Sequence, residues 1–259
     1  MDAEINDIVI TFDTDWAPDF AIEKTADMLI ENQVKTTWFL THESKAIRRL
    51  FEHSDLFELG IHPNFMPGST QGRSHHDVMS YLMNIVPNAK VVRTHAMFYS
   101  ASLSRMFALE FGLETDSSIF LGEMPHIIPY EVFYGNKTFI RMPYFWSDDG
   151  EMTIKQSPAF GFSYKNYHMP GLKILDFHPI HIYLNSEHMS NYNLLKAKHD
   201  VKDCTAEAVE PFINNGKGSG TLLREIIREN PNPDGFKTIS EIAEEWRLVS
   251  QKPIRGIQP

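Results

Sequence analysis

Short apolar runs with polar ends alternate along this chain with longer segments whose apolar residues recur at helical spacing. Asn6 to Asp13 (NDIVITFD) is β-branched and apolar through its middle, the pattern of a buried parallel strand. Pro18-Asp19 opens a helix with Ile22, Ala26, Leu29 and Ile30 on one face. Lys35 to Thr41 is a second strand, and Ser44 begins a helix carrying Ile47, Leu50 and Phe51. Phe57 to His62 is a third strand, followed by a Pro/Gly-rich loop and a helix over Ser74 to Val86 with Val78, Leu82 and Ile85 aligned. Val91 to Ala96 predicts a fourth strand, and Ser102 to Phe111 another helix. Thr138 to Trp146 and Gly171 to Leu184 hold two more strands.

Strand then helix, joined by short links, is the pattern of a parallel sheet wound with helices. Asn185 to Gly220 is polar and ends in a Gly216-Lys217-Gly218-Ser219-Gly220 run, which predicts an excursion from the core with a flexible glycine loop. Helices over Thr221 to Glu229 and Ser240 to Val249 follow, the second announced by the capping pair Thr238 and Glu241. No internal repeat divides the chain. Its 259 residues can bury one large core, so a single domain spanning 1–259 is expected.

Charge and composition narrow the function. The 34 acidic residues outnumber the 24 basic ones, for a formal charge of −10, which argues against nucleic acid and anionic membranes as partners. Cys204 is the only cysteine, so an intramolecular disulfide and a Cys-rich zinc site are both excluded. No apolar stretch approaches the ~18 residues of a membrane span. Met1-Asp2-Ala3-Glu4 lacks the basic and apolar parts of a secretion signal, so a cytoplasmic location is expected.

In wound α/β folds, chemistry gathers at the C-terminal ends of the strands. Those ends carry Asp13-Thr14-Asp15-Trp16, His62-Pro63-Asn64, Arg93-Thr94-His95, Trp146-Ser147-Asp148-Asp149 and Asp176-Phe177-His178-Pro179-Ile180-His181. Taken singly, an Asp at a strand end is a turn or cap residue, and His62 before a proline is a satisfied core histidine. Arg93 is harder to dismiss, because a guanidinium in an apolar strand must find an acceptor. On a strand, His178 and His181 would point to opposite faces. Taken together, these residues supply the ligands, acid and base that hydrolysis by a metal-activated water requires.

Thr11-Phe12-Asp13, Glu58-Leu59-Gly60-Ile61-His62, the Arg93 strand and Leu175-Asp176-Phe177-His178 occur in an order that resembles the polysaccharide deacetylase family, the NodB homology domain. The resemblance runs from about Asn6 to Leu184 and again over Phe236 to Trp246. Asp13-Thr14-Asp15-Trp16 and Gly60-Ile61-His62-Pro63-Asn64-Phe65 are similar to a subgroup linked to surface-polysaccharide synthesis. The resemblance implies a distorted (β/α) barrel with about seven parallel strands. It also implies a divalent metal, zinc first, and removal of an N-acetyl group from an amino sugar. Asp13 then matches the catalytic base, Arg93 the residue that holds it, and His178 the general acid. Asp15 and His62 match metal ligands, and Trp146 with Asp148 resembles the aromatic-plus-acid motif beside the groove. Trp16 and Tyr144 are among the aromatics suited to stacking on a pyranose.

The family's second metal histidine falls four residues after the first, where this chain has Met66, and a thioether is a poor ligand for such a metal. His95, on the same face of its strand as Arg93, is the foremost candidate for the third ligand, ahead of Asn64, His181 and His76. Met66 also leaves open a carbohydrate-binding relative that has lost its metal. A third reading is an amidohydrolase acting on a non-sugar amide.

Overall fold

The computed structural model describes residues 5–153, 168–232 and 235–250. The N-terminal segment on which the location was argued, residues 1–4, lies outside them. The predicted alternation is present: β1 (Ile8–Asp13), α1 (Asp19–Glu31), β2 (Thr36–Leu40), α2 (Lys45–Leu50), β3 (Phe57–Ile61) and α3 (His75–Ile85). Next come β4 (Val91–Val92), α4 (Ala101–Leu109), β5 (Thr115–Asp116), the hairpin β6 (Tyr130–Tyr134) and β7 (Lys137–Arg141), β8 (Trp146–Ser147) and α5 (Asp148–Thr153). After β9 (Lys173–Phe177) the chain is helical: α6 (Pro179–Leu184), α7 (Met189–Lys198), α8 (Ala206–Val209), α9 (Ser219–Glu229) and α10 (Ile239–Ser250).

The strands form one sheet in the order β6-β7-β5-β4-β3-β2-β1-β9-β8, parallel throughout except for the β6–β7 pair. The central strands β2 and β9 are buried at every position because both faces are covered, which is why they lack the apolar/polar alternation of a strand with one solvated face. The sheet curls into a distorted barrel, and residues 142–147 link its two flanks. Met142 and Tyr144 donate backbone N–H groups to the carbonyls of Asp116 and Ile119, while Phe145 donates across the gap to Ile174. The described residues therefore hold nine strands rather than about seven, the additions being two-residue strands and the antiparallel edge.

Three local expectations change. The fourth strand pairs only at Val91–Val92, because Ala96 and Met97 take left-handed conformations that turn the chain away. The last strand stops at Phe177: Pro179 sits in the first turn of α6, where its missing N–H costs nothing. His178 and His181 therefore sit at one helix start, with ring centres 5.8 Å apart, rather than on opposite faces of a strand. The glycine run is no flexible loop. A Cβ on Gly218 would lie 2.1 Å from the Asn185 carbonyl oxygen, and Ser219, fully buried, opens α9. The capping pair before α10 forms as expected: Thr238 donates its N–H to Glu241 Oε2 at 2.8 Å, and Glu241 donates its N–H to Thr238 Oγ1 at 3.3 Å. No helix among the described residues is long and apolar enough to cross a membrane.

Candidate active site

A cleft of about 350 Å³ opens at the C-terminal ends of the strands, lined by Asp13, Asp15, His62, Arg93, His95 and His178 among others. At the end of β1, Thr14 turns toward β2, where its hydroxyl accepts the Thr41 N–H at 3.0 Å. Asp13 and Asp15 on either side of it both face the cleft. Asp15 and Trp16 have φ of 39° and 54°, a conformation that carries a cost for residues with a Cβ and collects at functional sites. The Trp16 N–H donates to Thr41 Oγ1 at 3.1 Å and secures the turn. The inserted Thr14 thus leaves both carboxylates on one side.

Three ligand atoms converge in front of this turn. Asp15 Oδ1 lies 3.2 Å from His62 Nε2 and 3.1 Å from His95 Nδ1, and the two imidazole nitrogens are 3.3 Å apart. Ligands at about 2.0–2.2 Å from a tetrahedral cation stand at about this separation from one another. Carboxylate plus two imidazoles is a donor set that zinc accepts. His62 turns its other nitrogen toward Asp13 Oδ2 at 3.6 Å, too long for a hydrogen bond, and that Nδ1 is buried with no partner. Burial raises the Asp15 carboxyl, but hydrogen bonding to His62 and His95 prevails and holds it well below the usual carboxylate range. Among the described residues, two other groups of acids and histidines lie close together, Asp13/Asp176/His178 and Asp148/Asp149/His178. The first already has the Arg93 guanidinium among its oxygens, and in the second Asp148 is fully hydrogen-bonded, so neither offers a comparable opening.

Beside the Asp15/His62/His95 cluster, Arg93 joins two carboxylates. Its Nη1 donates to Asp176 Oδ1 at 2.6 Å, Asp13 Oδ1 at 3.1 Å and Thr11 Oγ1 at 2.8 Å. Its Nε and Nη2 donate to the carbonyl and hydroxyl of Ser117, both at 3.1 Å. The guanidinium lies between the rings of Phe39 and Tyr144, 4.4 and 4.8 Å from their centres. This arrangement fixes one rotamer of Asp13 and leaves its second oxygen toward the cleft. One cation serves two acids, and burial pushes the Asp176 carboxyl well above the usual range, against the pull of Arg93.

On the other side of the cleft, His178 is held by Asp148. Asp148 Oδ1 accepts from His178 Nδ1 at 2.7 Å and from the Asp149 N–H at 2.8 Å, while Oδ2 accepts from the His178 N–H at 3.1 Å and from Ser219 Oγ at 2.7 Å. With the proton on Nδ1, Nε2 faces the cleft, 3.6 Å from Asp15 Oδ2. Burial lowers the His178 pKa, but the charges of Asp148 and Asp149 prevail and raise it well above the ordinary value, which favours the protonated imidazole. Asp148→Asn keeps an acceptor for Nδ1–H and removes the charge, so burial then draws the His178 pKa down. The protonated form is lost at lower pH, and the basic limb of the kcat/KM profile is expected to move to lower pH. A profile that stays in place would mean that another group sets that limb.

The family profile of WbmS-like polysaccharide deacetylases matches residues 10–196. This chain belongs to that family. A crystal structure from Bordetella bronchiseptica, of a protein assigned to polysaccharide deacetylation in O-antigen biosynthesis, is 29% identical with a TM-score of 0.75, over 86% of this chain and 90% of that one. A family 4 acetyl xylan esterase from Clostridium thermocellum, solved with cobalt, is 13% identical with a TM-score of 0.43, over 92% and 90% of the two chains. A family 4 pseudoenzyme from Bacillus anthracis is 11% identical with a TM-score of 0.45, over 93% and 66%. The comparison with curated proteins finds no match.

Within this family member, the sequence-derived candidates divide. Asp13, Asp15, His62, Arg93, His95, Tyr144 and His178 all line the cleft, and Trp16 stands beside it with its ring edge-on to His95 at 5.5 Å. Burial pushes the Tyr144 phenol up, which leaves it a hydrogen-bond donor at neutral pH. Trp146 and Asp148, expected as substrate-binding residues that wall the groove and orient the acid, do not line the cleft, although Asp148 does hold His178. Trp146 is buried against Phe177 with its Nε1 donating to Glu151 Oε2 at 3.0 Å, and Asp148 is wholly enclosed beneath His178. Of the other ligand candidates, Asn64 accepts the Met66 N–H at 2.9 Å, and His76 is exposed and pairs with Glu110 at 2.7 Å. His181 is buried against Ser186. Met66 itself is 43% exposed, outside the cleft. Asp176, placed at a strand end by the sequence but given no role there, is the second acid on Arg93, and Ser219, the hydroxyl on Asp148, escaped the sequence reading. Asp176 had a signal in its place two residues before His178 on the same strand end, and Ser219 in the glycines on either side of it, which permit close approach.

Proposed function

We propose that this protein is a divalent-metal-dependent N-deacetylase, zinc the first candidate, acting on an amino sugar of a surface polysaccharide or its precursor. The observation that carries the reading is the meeting of three groups in one cleft. These are the Asp15/His62/His95 ligand set, an Arg-tethered carboxylate and an Asp-held imidazole. A cation held by Asp15, His62 and His95 would lower the pKa of a coordinated water and polarise the amide carbonyl. Asp13, with Oδ1 held by Arg93, is oriented to take the proton of the attacking water through its other oxygen. His178 Nε2 faces the same space and carries a proton for the departing amine, while Asp148 keeps Nδ1–H in register. The products are acetate and a free amino group on the sugar.

The match to polysaccharide deacetylases and the assignment of the Bordetella protein to O-antigen biosynthesis support a surface-polysaccharide substrate. Tyr144 and Trp16 offer aromatic surface beside the cleft for a pyranose. With His95 in reach of Asp15 and His62, Met66 no longer favours a metal-free binder. Zinc-loaded protein is expected to release acetate and free amine in equal amounts from N-acetylated amino-sugar oligomers, and a chelator to stop it. An absence of acetate release across such a panel, at saturating zinc, would sink the deacetylase reading.

A further inference from the structure

A second hollow of about 440 Å³ adjoins the cleft and shares Asp15 and His95 with it. It is also lined by Trp16 and Tyr192, by Lys196 in the last turn of α7, and by His199, Asp200 and Lys202 in the segment that follows. Only Leu195 of the ten residues of α7 is buried. Packing on the core therefore does not account for the polar residues of this helix.

Neither Lys196 nor Lys202 forms an ion pair among the described residues. The Lys196 ammonium stands 6.0 Å from the centre of the Tyr192 ring, and Lys202 forms no side-chain bond. One carboxylate shares their end of the hollow, that of Asp200, which accepts the Lys202 backbone N–H at 3.2 Å. The other acid in the hollow, Asp15, belongs to the ligand set and would be countered by its cation. With Asp15 countered by the cation it would hold, Lys196 and Lys202 against Asp200 would give this lining one excess positive charge, on a chain with a formal charge of −10. A concave, locally cationic wall beside a reactive centre attracts anions.

We propose that this hollow is a subsite for an anionic group on the amino-sugar substrate, a uronate carboxylate or a phosphate, held between Lys196 and Lys202. The proposal rests on the deacetylase reading of the adjoining cleft and adds the charge class of the substrate. A sugar whose acetamido group reaches the ligand set extends past Trp16 into the hollow, where its acidic group meets the lysines.

The test uses the zinc-loaded full chain and three probes: methyl N-acetylglucosaminide, N-acetylglucosamine 1-phosphate and 2-acetamido-2-deoxyglucuronic acid. Affinity is measured by calorimetry and acetate release in parallel. At least one acidic probe is expected to bind about tenfold or more tightly than the neutral one, as one charge-assisted contact provides, and the advantage should shrink with added salt. Lys196→Gln with Lys202→Gln should bring the ratio of acidic to neutral affinity close to one. Lys198→Gln, on the same helix with its ammonium over the Phe212 ring, should keep the ratio. Both lysines of the double variant are exposed, so its melting temperature is expected to match the parent. Which acidic probe wins identifies the group as carboxylate or phosphate. Equal affinity for all three probes, or an advantage that survives the double substitution, overturns the subsite. An acidic preference without acetate release would overturn the deacetylase reading while the subsite stands, and acetate release without preference would do the reverse.

Discussion

Asp13→Asn is expected to lower acetate release by about 10²–10⁴-fold, the usual worth of a positioned general base, while the metal content stays near that of the parent. The substitution is nearly isosteric, and the amide oxygen can still accept from Arg93 Nη1 where Asp13 Oδ1 does at 3.1 Å. What disappears is the proton acceptor on the cleft side. Asp13 is not among the three converging ligand atoms, and its approach to His62 Nδ1 at 3.6 Å is no hydrogen bond, so little metal affinity depends on it. Acetate release and metal content measured on one preparation separate the roles. A variant that lost its metal would show that Asp13 is a ligand, and the parts given to Asp13 and Asp15 would have to be exchanged.

His95→Ala is expected to lose metal and activity together, with affinity down by well over about 100-fold, since removal of a ligand should exceed the 10–100-fold typical of its supporting partners. Asp15 and His62 alone would leave the cation two protein ligands, fewer than the three that catalytic zinc sites use. His76→Ala and Asn64→Ala should keep both properties, because one faces Glu110 on the surface and the other caps its own turn. Cobalt substitution gives a readout independent of turnover: visible absorption bands of the bound ion should be present in the parent and absent from the His95 variant. A His95 variant that retained full metal would leave the imidazole only a substrate contact or a support for its neighbours.

Most of the strands and helices and the capping pair before α10 were legible because they depend on neighbours in sequence. Apolar runs make buried strands, recurrent apolar spacing makes helix faces, and Thr238 with Glu241 satisfies donors three residues apart. The acids and histidines of the candidate site were legible for a related reason: a parallel sheet gathers strand ends on one side, so residues at those positions meet. The ends of β4 and β9 were misjudged because turns override local pattern there, left-handed backbone at Ala96 and Met97 in one case and Pro179 in the other.

By itself, the sequence determined the order of elements and the chemical types available at each strand end. Tertiary structure alone decided which of these share an atom-to-atom contact. Arg93 reaches Asp13 and Asp176 across 80 and 83 residues of chain, Ser219 reaches Asp148 across 71, and His95 meets Asp15 across 80. Trp146, two residues before a pair of acids in the sequence, is turned into the core by the link between the barrel's two flanks. Local propensity sets backbone state over a few residues, whereas strand register, curl and the packing of the α7–α9 excursion set distances at the site, and those are properties of the closed core.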